Sequence, residues 1–329
     1  METVIMNKYQ ATQAAVQFVC RTFESRLESE LNLSKVVAPL FVESGTGVND
    51  QLNGVERPVA FDLRGMPGAG AEIVHSLAKW KRAALGKYGF EPGTGLYADM
   101  RAVRRDEAVG PLHSYFVDQW DWEMAITAEQ RTEAFLQSVV ERLYAVIKST
   151  GQVIRGEYPE LAHDLPECII FATTQELEER YPDLTPTERE HAIAKEHGAV
   201  FIMQIGGELK SGTPHDLRSP DYDDWQLNGD ILVWSKVLGR SVELSSMGIR
   251  VDKTALMKQL EIKGCLERTA HSFHRMILED TIPLSIGGGI GRSRICLFFL
   301  NKSHIGEVQP SVWPSEHIAE CASRKIELL

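Results

Sequence analysis

Long hydrophobic runs are missing from this 329-residue sequence. Its most apolar stretches, residues 295–300 (ICLFFL) and 199–203 (AVFIM), fall far short of the roughly 20 residues that a membrane-crossing helix needs. The opening METVIMNKYQ has no basic flank followed by an apolar core, so no secretory signal is expected. Cysteine is scarce. The five present form no CxxC pair and are too few for a disulfide framework, which points to a reducing, cytoplasmic setting. Basic charge is short as well: 35 Lys and Arg face 46 Asp and Glu, a net charge of −11. That balance argues against a general nucleic-acid binder held by phosphate neutralisation, so neither nucleic acid nor membrane is expected as a partner. It leaves room for a local arginine cluster around a small anion. No Pro/Gly/Ser-rich linker and no internal repeat divides the chain, and a single domain over residues 1–329 is expected.

What the chain does have is periodicity. Apolar residues make up 43% and charged residues 25%, the balance of a globular protein. Val16, Val19, Phe23, Leu27 and Leu31 recur at helical steps and predict one amphipathic helix. Residues 36–42 (VVAPLFV) read as a strand, at an edge or bulged, because Pro39 has no N–H for a ladder. Helices are predicted over 72–85 and 131–148. Thr185-Pro186-Thr187-Glu188 is a capping box with proline at the first helical position, Gly198 supplies the stop, and 199–205 reads as a buried strand. Residues 113–123 alternate: Tyr115, Val117, Gln119, Asp121 and Glu123 on one face, Phe116, Asp118, Trp120 and Trp122 on the other. Residues 230–234 and 241–245 read as an antiparallel hairpin turning at Gly239. Residues 285–300 read as an apolar lead-in, a glycine-rich turn and a helix. With no regular β-α-β rhythm, these elements predict an α+β fold with a mixed, mainly antiparallel sheet flanked by helices.

Several familiar sites are absent. No GxxxxGK[ST], GxSxG or HExxH occurs, and Gly287, Gly289 and Arg292 miss the last glycine of GxGxxG. His271 and His274 have no third ligand nearby and read as a structural or surface pair. What remains is carboxylates inside apolar strands and arginines beside glycines. Gln119 and Asp121 share a strand face, which suits a cleft and a solvated sheet edge equally. With a two-residue turn, Glu243 joins the face of Asp230 and Trp234. Two acids on one face suit a hard divalent cation; the plainer reading is an exposed pair. The turn at 287–291, with Arg292 and Arg294 opening the next helix, suits an anion or nucleotide, although such turns are often only tight loops. Arg101, Arg104 and Arg105 form either a solvated charged loop or one that closes over a phosphate.

Taken in order, the helix, the proline-containing strand, the arginine loop between strands, the acidic hairpin and the final glycine-arginine helix resemble the three motifs of class II aminoacyl-tRNA synthetases. Pro39, Arg104 and Arg294 stand at the motif 1 proline and the motif 2 and motif 3 arginines. The chain is more similar still to ammonia-dependent asparagine synthetases of the A type. The words carrying that likeness include 74–82 (VHSLAKWKR), 111–114 (PLHS), 117–123 (VDQWDWE), 220–225 (PDYDDW), 227–234 (LNGDILVW), 243–250 (ELSSMGIR) and 286–294 (IGGGIGRSR). They run through nearly the whole chain. Motif 2 usually reads arginine, any residue, glutamate; here it is Arg104-Arg105-Asp106. The separate anticodon-binding domain of the tRNA synthetases has no counterpart.

The resemblance implies a class II synthetase-like core that joins ammonia to the side-chain carboxylate of aspartate. It does so with ATP and Mg2+, through a β-aspartyl adenylate, releasing AMP and pyrophosphate. It implies Arg104 on the α-phosphate, Arg294 on the adenine face or the phosphates, Ser114 in the ATP site, and Asp230 and Glu243 on magnesium or ATP. Ser76 and Lys81 fall near the reacting carboxyl group, and Arg250 pairs with the α-carboxylate. Asp50, Gln119, Asp121 and Asp223 surround the α-amino group and the ammonia path, and Ser245 and Ser246 line the floor. Asp50 stands nearest the ammonia step; its plainer reading is a loop acid in the turn-rich residues 47–54. A homodimer is implied too, through Phe23, Leu27 and residues 36–41. Two other readings compete. A truncated aspartyl- or asparaginyl-tRNA synthetase core is opposed by the acidic charge and the missing anticodon module, and a catalytically dead paralogue by the retained arginines and acids.

Overall fold

The computed structural model describes residues 7–52, 54–161 and 163–329. Residues 1–6, in the stretch read for a secretory signal, and Asn53, in the turn-rich segment after Asp50, lie outside the described residues. Helix α1 (Lys8–Leu31) opens on a capping box between Asn7 and Gln10 and buries its predicted stripe, Val16, Val19, Phe23, Leu27 and Leu31. After β1 (Leu33–Lys35) comes the first departure. The strand expected over 36–42 is confined to β2 (Phe41–Glu43), which joins β3 (Ala60–Asp62) and β4 (Gly70–Ile73) in a small antiparallel sheet of order β2-β4-β3. Pro39 lies not in an edge or bulged strand but in the irregular link before it, where its missing N–H leaves no ladder position unfilled. The helix expected over 72–85 starts later, because β4 takes residues 72 and 73; α2 spans Ala78–Tyr88 and stops at Gly89 with φ 72°.

Strands β5 (Gly95–Val103) and β6 (Phe116–Ala125) pair antiparallel, with Arg104 in the loop between them. Helix α3 (Glu133–Glu157) runs further than its predicted stripe. Next come β7 (Ile170–Thr173), α4 (Thr174–Arg180), α5 (Pro186–His197) and β8 (Ala199–Met203). Thr185 and Glu188 cap α5 reciprocally and Gly198 ends it, as the sequence predicts. Strands β9 (Asp223–Ser235) and β10 (Arg240–Arg250) form the expected hairpin at greater length, joined by residues 236–239. Helices α6 (Lys253–Ile262) and α7 (Ser272–Leu278) lead to β11 (Ser285–Gly291), α8 (Arg292–Phe299) and α9 (Ser315–Ser323).

The main sheet runs β1-β5-β6-β11-β10-β9-β8-β7. It is parallel only at its two outer pairs and antiparallel between them. This is the mixed, mainly antiparallel sheet that the sequence predicts. Helices α1, α3 and α8 cover one face, where Trp120, Trp122, Ile231, Val233, Ile286 and Ile290 form the core. Phe23 stacks on Trp120 at 4.7 Å, and both Phe23 and Leu27 are fully buried. Neither can contact a partner, which corrects the interface expected at those two residues. On the other face, α2 packs Leu77 and Leu85 against β5. Further along that face α4 and α5 pack Leu177, Ile193 and Ala194 against Val200, Ile202 and Leu232, and a cleft opens on the part left uncovered. No described helix is long and apolar enough to cross a membrane.

Candidate active site

Alternation along β6 turns Trp120 and Trp122 into the core and Gln119, Asp121 and Glu123 toward the cleft. Beside them lies β11, where the structure corrects the expected glycine turn. Residues 287–291 are a sheet strand, registered with Gly287 opposite Glu123, Gly289 opposite Asp121 and Gly291 opposite Gln119. A Cβ on Gly287 would stand 2.0 Å from Glu123 Oε2, and one on Gly289 2.6 Å from Gln119 Oε1. The glycines let long polar side chains lie flat across the strand.

Lys81 reaches this floor from α2. Its ammonium is buried, donates to Asp121 Oδ1 and to the Gly288 carbonyl at 2.7 Å, and lies 4.0 Å from Glu123. Burial pushes its pKa down, and Asp121 opposes that. Asp121 Oδ2 is buried with no partner among the described residues. Arg250, also buried, grips Glu123 with Nε and Nη2, at 2.9 and 2.8 Å, and donates through Nη1 to Asp223. That engages three of the five guanidinium hydrogens and leaves two. Burial raises the Asp223 carboxyl against the pull of Arg250.

At one wall, Asp50 Oδ2 accepts from the Ser76 hydroxyl at 2.8 Å and Oδ1 from the Leu52 N–H at 2.9 Å. The Asn49 side chain accepts from the N–H groups of Asp50 and His75, tying the turn to the start of α2. Beneath it Asp221, fully buried, accepts from Lys79 at 2.9 Å, Arg268 at 3.2 Å and His274 at 3.0 Å. Burial alone would raise its carboxyl; Lys79 and then His274 hold it well below the usual carboxylate range. His274 is thus a structural donor, and His271 donates from Nδ1 to the Gly45 carbonyl at 2.9 Å.

The opposite end is cationic. Arg294 donates to the Glu243 carbonyl and pairs with its carboxylate, both at 3.2 Å, and gives another N–H to His113 Nε2 at 3.0 Å. An imidazole that accepts from arginine is neutral. Burial and then Arg294 lower the His113 pKa to about 4. Arg218 pairs with Asp230, whose Oδ1 is buried with no partner among the described residues. Burial and the nearby Glu243 raise the Asp230 carboxyl to about 7, against Arg218. Ser114 Oγ sits 2.9 Å from Gln309, which donates to Asp118.

The cleft encloses about 410 Å3 and brings together Asp50, Ser76, Lys81, Arg104, Ser114, Gln119, Asp121, Asp223, Glu243, Ser246, Arg250 and Arg294. Two of the expected residues do not line it. Asp230 lies just behind Arg218, and Ser245 is paired between Ile231 and Ile290 on the core face. The cause is a bulge between Glu243 and Ser245, which resets the alternation and turns Ser246 to the cleft.

A model of the aspartate–ammonia ligase family matches residues 10–325. The aspartate–ammonia ligase of Ruminiclostridium cellulolyticum is 56% identical over 97% of this chain and 95% of its own. Those of Clostridium perfringens and Levilactobacillus brevis are 55% and 52% identical over the same shares. The chain belongs to the aspartate–ammonia ligase family. Among solved structures, the asparaginyl-tRNA synthetase of Pyrococcus horikoshii with asparaginyl-adenylate superposes with a TM-score of 0.68 at 14% identity, covering 93% of this chain and 70% of that one. The corresponding complex from Entamoeba histolytica gives 0.63 at 13% identity, covering 92% and 66%. At such identity the likeness is one of fold: the ligase has the fold of the class II aminoacyl-tRNA synthetase core.

The ligase cleft also holds residues that the sequence reading missed. Arg218, His113, Asp118 and Tyr222 all line it; Arg218 lies in a loop without periodicity, His113 lies in the loop before β6 because the strand expected over 113–123 starts at Phe116, and Asp118 sits on the core-side register of β6. Lys79 and Asp221 fall inside matching words, but nothing in the sequence ties one to the other. Elsewhere, His304, His317 and Cys321 bring ligand-type atoms within 4.8 Å. His304 Nδ1 accepts from the Gly306 N–H at 3.0 Å, so its proton sits on Nε2 and is donated to His317 at 2.9 Å. The neutral ring has no lone pair left for a metal.

Proposed function

We propose that this ligase makes asparagine by transferring AMP from ATP to the side-chain carboxylate of aspartate, releasing pyrophosphate, and then admitting ammonia to the β-aspartyl adenylate. The observation that carries the reading is the cleft's division of charge. Arg218 and Arg294 stand at one end and Arg104 enters from the His75 side, while the floor opposes two cations, Lys81 and Arg250, to three carboxyls, Asp121, Glu123 and Asp223. A floor with one acid in excess and an orphaned Asp121 oxygen suits the α-ammonium of an amino acid. The two unspent Arg250 donors suit its α-carboxylate. In this reading Gln119 and Ser246 border the amino acid, and its side-chain carboxylate points past Lys81 and Ser76 toward the arginines. The bound asparaginyl-adenylate of the two tRNA synthetases supports an aminoacyl-adenylate in this fold.

A carboxylate is a poor electrophile, since its charge repels nucleophiles and its oxygen leaves badly. AMP makes that oxygen a good leaving group. The pentavalent phosphorus carries charge that Arg104 and Arg294 are placed to stabilise. Asp50, with two accepting positions spent on Ser76 and Leu52, keeps others for ammonium or for the proton lost on attack. Glu243, a half-exposed hard oxygen donor on the cleft, would hold a magnesium ion, whereas Asp230 shares its sheet face but lies behind Arg218 and off the cleft lining. Bound there, magnesium would offset phosphate charge. The proposal includes a cytoplasmic homodimer in which the whole chain is one catalytic unit. The test is to incubate the protein with aspartate, ATP, magnesium and ammonium and follow the nucleotide formed. AMP and pyrophosphate with asparagine support it; ADP overturns it.

A further inference from the structure

We propose that a second cavity, backing onto the reaction cleft, binds the ammonium ion and delivers it to Asp50. The inference rests on the ligase reading above and adds the place where its smallest substrate waits. The cavity encloses about 270 Å3 and shares Asp50 and Glu56 with the cleft. Its wall also carries Glu43, Glu72, His75 and His271, and no lysine or arginine among the described residues. Glu43, Glu72 and Asp50 form no ion pair with a described residue; Glu72 accepts only from the Asn49 amide, at 3.0 Å. An acid cluster alone would be a solvated surface. His75 is the second observation. Its ring is 1% exposed and Nδ1 lies 3.0 Å from the Asp50 carbonyl, which can only accept, so the proton is on Nδ1. Nε2 then presents a lone pair, buried and with no partner among the described residues.

A space walled mainly by carboxylates, carbonyls and an imidazole acceptor has no lysine or arginine among its described lining, and its Asn49 amide and Thr46 hydroxyl already donate to Glu72 and to the Glu43 carbonyl, leaving the Gln51 amide as the side-chain donor. Ammonium supplies positive charge and four N–H groups on a cation about the size of a water, and the cavity has room for it. The same acids repel aspartate and ATP, so the two cavities sort the substrates by charge. Asp50 stands in the wall between them, its carboxylate held on the cleft side by Ser76.

Two measurements test this. Glu43→Gln and Glu72→Gln, the latter keeping an acceptor for Asn49, each remove one charge. Each should raise the KM for ammonium by about fivefold, and the double variant by more. Aspartate-dependent pyrophosphate–ATP exchange, which needs no ammonia, should hold. Crystals soaked in thallium(I), an ammonium-sized cation, should show an ion between Glu72 and His75. An unchanged ammonium KM in the double variant, a parallel fall in exchange, or thallium only in the reaction cleft overturns the assignment. Production of ADP would sink the adenylate and leave this test standing.

Discussion

Arg104 enters the cleft from the loop after β5, half-buried and held, among the described residues, by two long side-chain contacts of 3.4 Å to the His75 carbonyl. Its charge is therefore available to substrate and adds little to the fold. Arg104→Ala should lower aspartate-dependent pyrophosphate–ATP exchange on the order of a hundredfold, with the Tm unmoved; unchanged exchange would misplace the residue. Arg250 is the opposite case. It is 2% exposed and locked between Glu123 and Asp223. Lysine keeps the charge but cannot span both acids, and a buried carboxylate left unpaired costs about 3–5 kcal/mol. Arg250→Lys should lower the Tm by several degrees. Measured well below that Tm, it should also raise the KM for aspartate at least several-fold and leave that for ATP near its original value. An ATP defect as large as the aspartate defect would mean that the amino-acid pocket lies elsewhere.

Strand β11 sets the limits of what its glycines tolerate. Glu123, which Gly287 makes room for, is pinned by Arg250 and by the Ser285 hydroxyl at 2.7 Å. Gln119, which Gly289 makes room for, has its amide oxygen in contact range of any new Cβ and no partner of that kind. Gly287→Ala should cost several kcal/mol, read as a large fall in denaturation midpoint, whereas Gly289→Ala should keep its stability and lose aspartate affinity as Gln119 swings into the cleft. The reverse ranking would place the close approach at the wrong glycine. The same strand shows why parts of the site were hard to read. Caps act within four residues, so Thr185, Glu188 and Gly198 marked α5 from sequence alone, and a period of two set Gln119 and Asp121 on one face. The reason for the glycines lies in side chains far along the chain, so their local pattern reads as a turn. Nor does any local signal announce the bulge that exchanges Ser245 for Ser246, or the loop positions of Arg218 and His113.

Acid and association act on the molecule as a whole. His304 is 1% exposed, and burial and then His317 lower its pKa to about 4. The folded state thus prefers the neutral ring. Its contribution is fully present above pH 6.5, where unfolded histidine is also neutral, and is lost as the pH falls from 6.5 toward 4. The Tm difference between the native protein and His304→Gln should therefore shrink between pH 7 and 4.5; a constant difference would show that His304 is not the group responsible. Association turns on a patch of another kind. With Phe23 and Leu27 in the core, the apolar surface left near motif 1 is Val37, 92% exposed, Leu40, 52%, Phe41, 44%, and Phe61, 37%. Phe41 and Phe61 meet edge to face at 5.3 Å. Four large exposed apolar side chains on one short link and its small sheet are of the sort that marks an association surface. Val37→Asp with Leu40→Asp would leave two charges facing each other across a two-fold contact. The native protein should sediment as a dimer at micromolar concentration and that variant as a monomer. Its Tm in the monomer should change little, because neither side chain is buried within the chain. A native protein that is monomeric at the same concentration, or a double variant that still dimerises, would remove this patch as the interface.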